Sequence, residues 1–175
     1  MRALRRLIVL LTAVLAFSTA TVSPAAALGD DYPWRLDTSW SADRWGFTKR
    51  QCVSFVAWRM AQRGHPLSNA TQRWGNAHNW DDAARRLGYG IGTKPVPGSI
   101  AHWNAYERAA WYANGSSTAN GWLKAGAYGH VGYVQGVYSD GSVSVVQYNL
   151  SGNRSYSTTR VKAPRYLYVS VATPR

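Results

Sequence analysis

Cys52 is the only cysteine of the 175-residue chain, so no internal disulfide can form. A lone thiol in an exported protein is an inert buried residue, an intermolecular bridge or a nucleophile, and its surroundings decide among these. The reactive species is the thiolate, which is favoured at a helix N-terminus and beside positive charge or histidine. From Val53 the apolar residues Val53, Val56, Ala57, Met60 and Ala61 recur at helical spacing, and Gly64 stands where a left-handed stop belongs. The spacing predicts a helix over residues 49–63 with Cys52 in its first turn. Lys49 and Arg50 would place two cations next to the thiol and favour its ionised form. Gln51 admits two readings: the back-reaching member of a Thr48-x-x-Gln51 capping box, or a donor to an oxyanion.

A cysteine nucleophile needs a base, usually a histidine remote in sequence and near in space. Of the four histidines, His65 follows the helix stop, His78 precedes Trp80 and His102 ends a short apolar run. His130 differs, because it enters a strand directly after Gly129, where a ring is held rigidly and a small neighbour leaves room for substrate. Asp140-Gly141 reads as the centre of a two-residue hairpin turn, which pairs Gly132 with Asn149 and Val134 with Gln147. In that register His130, Gln147 and Asn149 share one face, with Asn149 the diagonal neighbour of His130. An amide oxygen there would accept the imidazole N–H and fix its tautomer; which of the two amides does so stays open. Without Cys52 and His130, both would read simply as polar residues near a strand end.

The elements that must position these groups follow in order. Trp80, Ala83, Ala84 and Leu87 mark a second helix stopped by Gly88. A short strand is predicted at Ile100–Trp103, a hairpin over 130–138 and 143–149, and further strands near 156–161 and 166–171. Residues 104–128 read as a long loop with at most a helical turn, and 28–47 as an irregular arm packed by its aromatics. Helices first and antiparallel strands afterwards give an α+β domain, with N-terminal helices packed on one side of a curved sheet.

Composition bounds the setting. Arg2, Arg5 and Arg6, an apolar run from Leu7 to Phe17 and the small residues Pro24-Ala25-Ala26-Ala27 form a secretory signal peptide, with cleavage expected after Ala27. The domain reading is therefore leader 1–27, arm 28–44 and a single catalytic domain 45–175, secreted and associated with the cell wall. The apolar run is too short to span a bilayer, so no stable membrane insertion is expected after cleavage. Three of the 20 Lys and Arg lie in the leader and none of the 8 Asp and Glu, which leaves +9 beyond residue 27 and points to an anionic partner. Nine Trp and eleven Tyr against three Phe suit a surface that stacks on sugars or bases, although most Trp in a domain this small belong to the core. No nucleic-acid motif accompanies the charge, so no nucleic-acid partner is expected.

Five segments in succession carry a family resemblance: Arg50-Gln51-Cys52-Val53-Ser54-Phe55-Val56-Ala57, Trp74-Gly75-Asn76-Ala77-His78-Asn79-Trp80, Pro97-Gly98-Ser99-Ile100, Gly129-His130-Val131-Gly132-Tyr133-Val134 and Gln147-Tyr148-Asn149. In this order they resemble CHAP domains, the cysteine, histidine-dependent amidohydrolases and peptidases. The resemblance implies a papain-like α+β fold and cleavage of peptidoglycan, as an N-acetylmuramoyl-L-alanine amidase or a stem or cross-bridge endopeptidase. It implies Cys52 as nucleophile, His130 as general base, and Asn149 or Gln147 as the group that orients the base, with Gln51 at the oxyanion and Trp74, Asn76 and Trp103 against substrate. Gln147 departs from the family, which commonly has Glu there, so the orienting group is neutral. Aspartates before the nucleophile are too sparse for the calcium loop of some CHAP domains; no metal and no cofactor are expected, and a monomer acting on peptidoglycan and anionic wall polymers is. The alternative is a catalytically inactive secreted wall-binding module. Peptidases of the NlpC type usually show Asp-Cys-Ser-Gly at the nucleophile, unlike Gln51-Cys52-Val53-Ser54 here.

Overall fold

The computed structural model describes residues 29–113 and 115–175; the leader expected over 1–27 lies outside them. Helix α1 runs Cys52–Gln62, the short α2 Asn69–Gln72, and a 3-10 turn at Ala77–Asn79 leads into α3, Trp80–Arg86. Eight strands follow: β1 Gly90–Gly92, β2 Ile100–Trp103, β3 Arg108–Tyr112, β4 Gly121–Lys124, β5 His130–Val137, β6 Val143–Tyr148, β7 Tyr156–Lys162 and β8 Arg165–Tyr168. They form one sheet in the order β1-β8-β2-β5-β6-β7-β3-β4, with every neighbouring pair antiparallel. The expected α+β class is the one observed.

Alternation along the central strands builds two cores. Val131, Val146 and Leu167 meet Phe55, Val56 and Met60 of α1 on the helix side, whereas Ala101, Trp103, Val134, Val145 and Val161 fill the other face. A side chain of this kind contributes roughly 1.5–3 kcal/mol when fully buried, and the helix-side core is what fixes the start of α1 against β5. Gly64 (φ 79°) ends α1 as expected: its N–H donates to Ala61 O and the His65 N–H to Met60 O.

Two expectations are corrected. Residues 104–128 are no loop: β3 and β4 pair as a hairpin, and β3 continues onto β7. Arg108-Ala109-Ala110-Trp111-Tyr112 carries two alanines at its centre and ends on two adjacent aromatics, of which Trp111 is exposed and Tyr112 buried, so its alternation is faint in the sequence. The β5–β6 register also differs. The turn has three residues, with Tyr138 N–H donating to Ser142 O, Gly141 N–H to Tyr138 O, and Gly141 at φ 78°. A bulge between Val134 and Gly136 then shifts the pairing by one more. The result is Tyr133 opposite Val146 and Val134 opposite Val145. Two single-residue shifts restore the face but move every partner by two, so Gln147, not Asn149, becomes the diagonal neighbour of His130.

The arm before α1 has no regular element but contributes to the same core. Tyr32 is fully buried, and its hydroxyl bonds Ser54 Oγ at 2.5 Å, which in turn donates to Asp43 Oδ2 at 2.5 Å. Asp43 Oδ1 accepts from the N–H groups of Trp45 and Phe47, so this buried carboxylate is satisfied on both oxygens.

Candidate active site

α1 cannot begin earlier than Cys52, because Arg50 is left-handed (φ 59°) and Gln51 extended. Gln51 is the N-cap without a side-chain capping bond, which overturns the capping-box reading. The Cys52 sulfur lies against the backbone N–H of Val131, the residue after His130, and also against the N–H groups of Cys52 and Val53. Burial nevertheless dominates and pushes the thiol above its ordinary value, with those N–H groups opposing it. The two neighbouring cations do not help, contrary to expectation. Lys49 turns away to Asp37 at 2.7 Å, and Arg50 Nε donates to Arg154 O.

His130 opens β5 after Gly129. That glycine is required by backbone contact rather than by room for substrate: at φ 71°, a Cβ would come within 2.6 Å of Trp103 O and 2.7 Å of His78 N. His130 Nε2 lies 2.8 Å from Gln147 Oε1. An amide oxygen only accepts, so Nε2 carries the proton and Nδ1 keeps its lone pair. Gln147 is itself oriented, since its Nε2 donates to Thr159 Oγ1 at 2.9 Å. Gly132 leaves the space between them: a Cβ there would overlap Val145 Cγ1 at 2.2 Å and press on Gln147 Oε1 at 3.3 Å. Burial pushes the imidazole down to about 4, against the Gln147 hydrogen bond. At neutral pH the two groups therefore rest as neutral thiol and neutral imidazole.

Asn149 makes no hydrogen bond to His130 among the described residues. Its Nδ2 donates to Gln51 Oε1 at 2.6 Å, and its Oδ1 accepts from Arg154 N–H at 2.7 Å. With its oxygen occupied, Gln51 has only its amide N–H groups left to offer a ligand. Arg154, which the sequence did not single out, joins three segments: its guanidinium donates to Thr38 O, Ser39 O and Lys49 O while lying 4.3 Å over the Trp40 ring.

Two connected hollows meet at the thiol. A groove of about 600 Å³ runs along Trp40, Phe47, Asn69, Asn76 and Asn79, and a smaller one of about 210 Å³ is walled by Ala125–His130 and Leu150. Gln51, Cys52, Tyr128 and Asn149 line both, and His130 lines the smaller. Of the residues expected against substrate, Asn76 does line the groove. Trp74 and Trp103 are corrected: both are fully buried. Trp74 packs on Trp80 and Tyr89, and Trp103 backs the His130 ring at 5.7 Å. Phe47 lines the groove as a buried ring, and the exposed aromatics that flank it are Trp40 and Tyr128, 72% and 70% exposed. Both sit in irregular segments, where no periodicity marks a side chain as facing out.

An α+β domain that starts a buried helix at a thiol, and the facing strand at an imidazole, has the layout that the five sequence segments implied. Residues 42–149 match the CHAP domain family, and the chain belongs to it. It is 36% identical over 115 residues to the N-acetylmuramoyl-L-alanine amidase sle1 of Staphylococcus epidermidis, covering 64% of this chain and 28% of that protein. Over 127 residues it is 32% identical to the staphylococcal secretory antigen SsaA of Staphylococcus epidermidis, covering 70% of this chain and 39% of the other. A crystal structure of an N-acetylmuramoyl-L-alanine amidase from Staphylococcus aureus superposes with a TM-score of 0.56 at 26% identity, over 75% of this chain and 34% of that one. The chain thus spans well under half the length of these relatives.

Proposed function

We propose that this chain is a secreted peptidoglycan hydrolase that cleaves an amide bond by cysteine catalysis, as an N-acetylmuramoyl-L-alanine amidase or a stem or cross-bridge endopeptidase. The observation that carries the reading is the shared hollow of Cys52 and His130, with the imidazole held at Nε2 by Gln147 and unpartnered at Nδ1 among the described residues. The named amidase relatives support the substrate class.

The chemistry follows from the neutral resting pair. As Cys52 sulfur bonds to the substrate carbonyl carbon, its proton passes to His130 Nδ1, and the oxyanion takes hydrogen bonds from the Cys52 N–H and the Gln51 amide. Collapse breaks the C–N bond, and Nδ1–H protonates the leaving amine. Water then gives a proton to Nδ1 and its oxygen to the thioester carbon; the C–S bond breaks and the sulfur recovers that proton. Throughout, Gln147 holds the imidazole by Nε2–H, which makes it a positioning residue, and Asn149 positions Gln51. The leader would deliver the domain outside the cytoplasm, where it acts as a monomer.

Mass spectrometry of fragments released from purified sacculi tests this. A free lactoyl-linked glycan with a new N-terminal alanine identifies an amidase, and shortened stems an endopeptidase; lysis retained by Cys52→Ala would reject the nucleophile. A second reading, an inactive wall-binding module, draws on the buried high-pKa thiol and the neutral Gln147. It predicts wall binding without any released fragment.

A further inference from the structure

The helix layer covers one sheet face over β5 and β6, where α1 packs. Tyr156 at the start of β7 still meets Phe55 of α1, but over the far end of β7 and over β3 and β4 no helix packs against the same face among the described residues. Its side chains follow from the register: Ala110 lies opposite Trp122 on one side and Lys162 on the other, and Arg108 lies opposite Lys124 one pleat along. Neighbouring strands are about 4.8 Å apart, so an indole and an ammonium stand roughly 10 Å apart across the small, half-buried Ala110. Trp122 is 71% exposed, and Arg108, Lys124 and Lys162 are exposed as well. None of these three cations forms an ion pair among the described residues. The nearby acids are already engaged, Glu107 with Arg165 and Asp140 with Arg160. β4 runs directly into Ala125–His130, the wall of the smaller hollow.

We propose that this face is a docking surface for a wall-attached polyanion of sugar or polyol units joined by phosphodiesters. A flat exposed indole offers stacking to a sugar ring, the small Ala110 leaves space for its edge, and three cations without an ion pair among the described residues, Lys124 lying 5.4 Å over the Tyr106 ring, stand at pleat and strand spacing to meet the phosphates. The partner rests on the wall-hydrolase reading above, but the surface shares no residue with the proposed catalytic machinery, so each can fail alone.

The test is cosedimentation of the full secreted chain with Gram-positive walls, either intact or stripped of phosphodiester polymers by cold hydrofluoric acid. Cleavage of a soluble, polymer-free peptidoglycan fragment is measured in parallel. Binding to intact walls should exceed binding to stripped walls about tenfold at low salt. Trp122→Ala should lower it several-fold without changing charge, and Lys124→Glu with Lys162→Glu should reduce it to the stripped-wall level, both with fragment cleavage unchanged. Arg85→Glu, on α3, should leave binding within twofold. Equal binding to stripped walls, an equal loss in Arg85→Glu and Lys124→Glu, or wild-type binding by Trp122→Ala would overturn the proposal. Binding transferred to anionic lipid vesicles, with none to walls, would overturn it in favour of a membrane surface. Absent fragment cleavage with this binding pattern intact would sink the catalytic reading alone.

Discussion

His130 and His102 stand on neighbouring central strands, both are buried, and burial holds both near pKa 4. What separates them is where their nitrogens point. His102 Nε2 donates to Ala77 O at 2.8 Å and its Nδ1 meets Arg165, itself paired to Glu107, so the ring is used up in linking β2 and β8 to the 3-10 turn. His130 is held at one nitrogen only, by an amide that is itself anchored, and the rest of its ring lines a hollow shared with a thiol. A displaced pKa marks burial; an open nitrogen beside a cavity marks a candidate base.

The sharpest way to break the comparison is to exchange effects between the two rings. His130→Ala should lower cleavage per folded molecule by about 10³-fold or more, over and above any stability lost with the donor to the buried Gln147 Oε1. His102→Ala should instead cost about 1–3 kcal/mol of stability by leaving the buried Ala77 carbonyl unsatisfied, while the folded fraction cleaves within a few-fold of wild type. Paired assays and denaturant melts would show it, and a large kinetic loss in folded His102→Ala would erase the distinction.

Next in size is the orienting amide. Gln147→Ala should lower kcat some 10- to 100-fold, whereas Gln147→Glu should keep activity and move the acid limb of the pH profile upward. A carboxylate stabilises the imidazolium, raising the His130 pKa, and activity that needs the neutral ring is then lost at a higher pH. An unmoved limb would separate Gln147 from the base.

Stability against pH comes third. Both folded-state histidines sit near 4 against about 6.5 unfolded, so the unfolded chain binds more protons in between. Stability should be full above about 6.5 and fall towards pH 4, by a little over 1 kcal/mol per unit for each ring. His102→Gln should roughly halve that slope in urea melts at stepped pH. The smallest effect is Thr159→Val, which frees Gln147 Nε2 and should reduce kcat only several-fold.

The sequence made α1 legible through its apolar spacing and the Gly64 stop, and β5 through the run that His130 begins. The shared face of His130 and Gln147 was also readable, because side-chain parity survives two single-residue shifts, whereas Asn149 lies past the end of β6 with a left-handed backbone and bonds Gln51. Their partners were not: a third turn residue and the bulge at Gln135 leave no mark in the pattern of apolar residues. The β3–β4 hairpin hid for a related reason, since a strand with two alanines and a four-residue partner alternates too weakly to declare itself. The groove aromatics Trp40 and Tyr128 lie where conformation is set by remote partners, Arg154 for the first and the His78 N–H for the carbonyl of the second.

Arg154 fastens backbone from either side of the family's first matched residue, Ala42, to the corner that presents Asn149. Anyone trimming this protein to the family match, or grafting that stretch onto another carrier, would discard one flank of the cleft together with Tyr32 and the hydroxyl it lends to Ser54. The shortest portable unit therefore begins at least ten residues upstream of the first residue of the family match, at or before Tyr32.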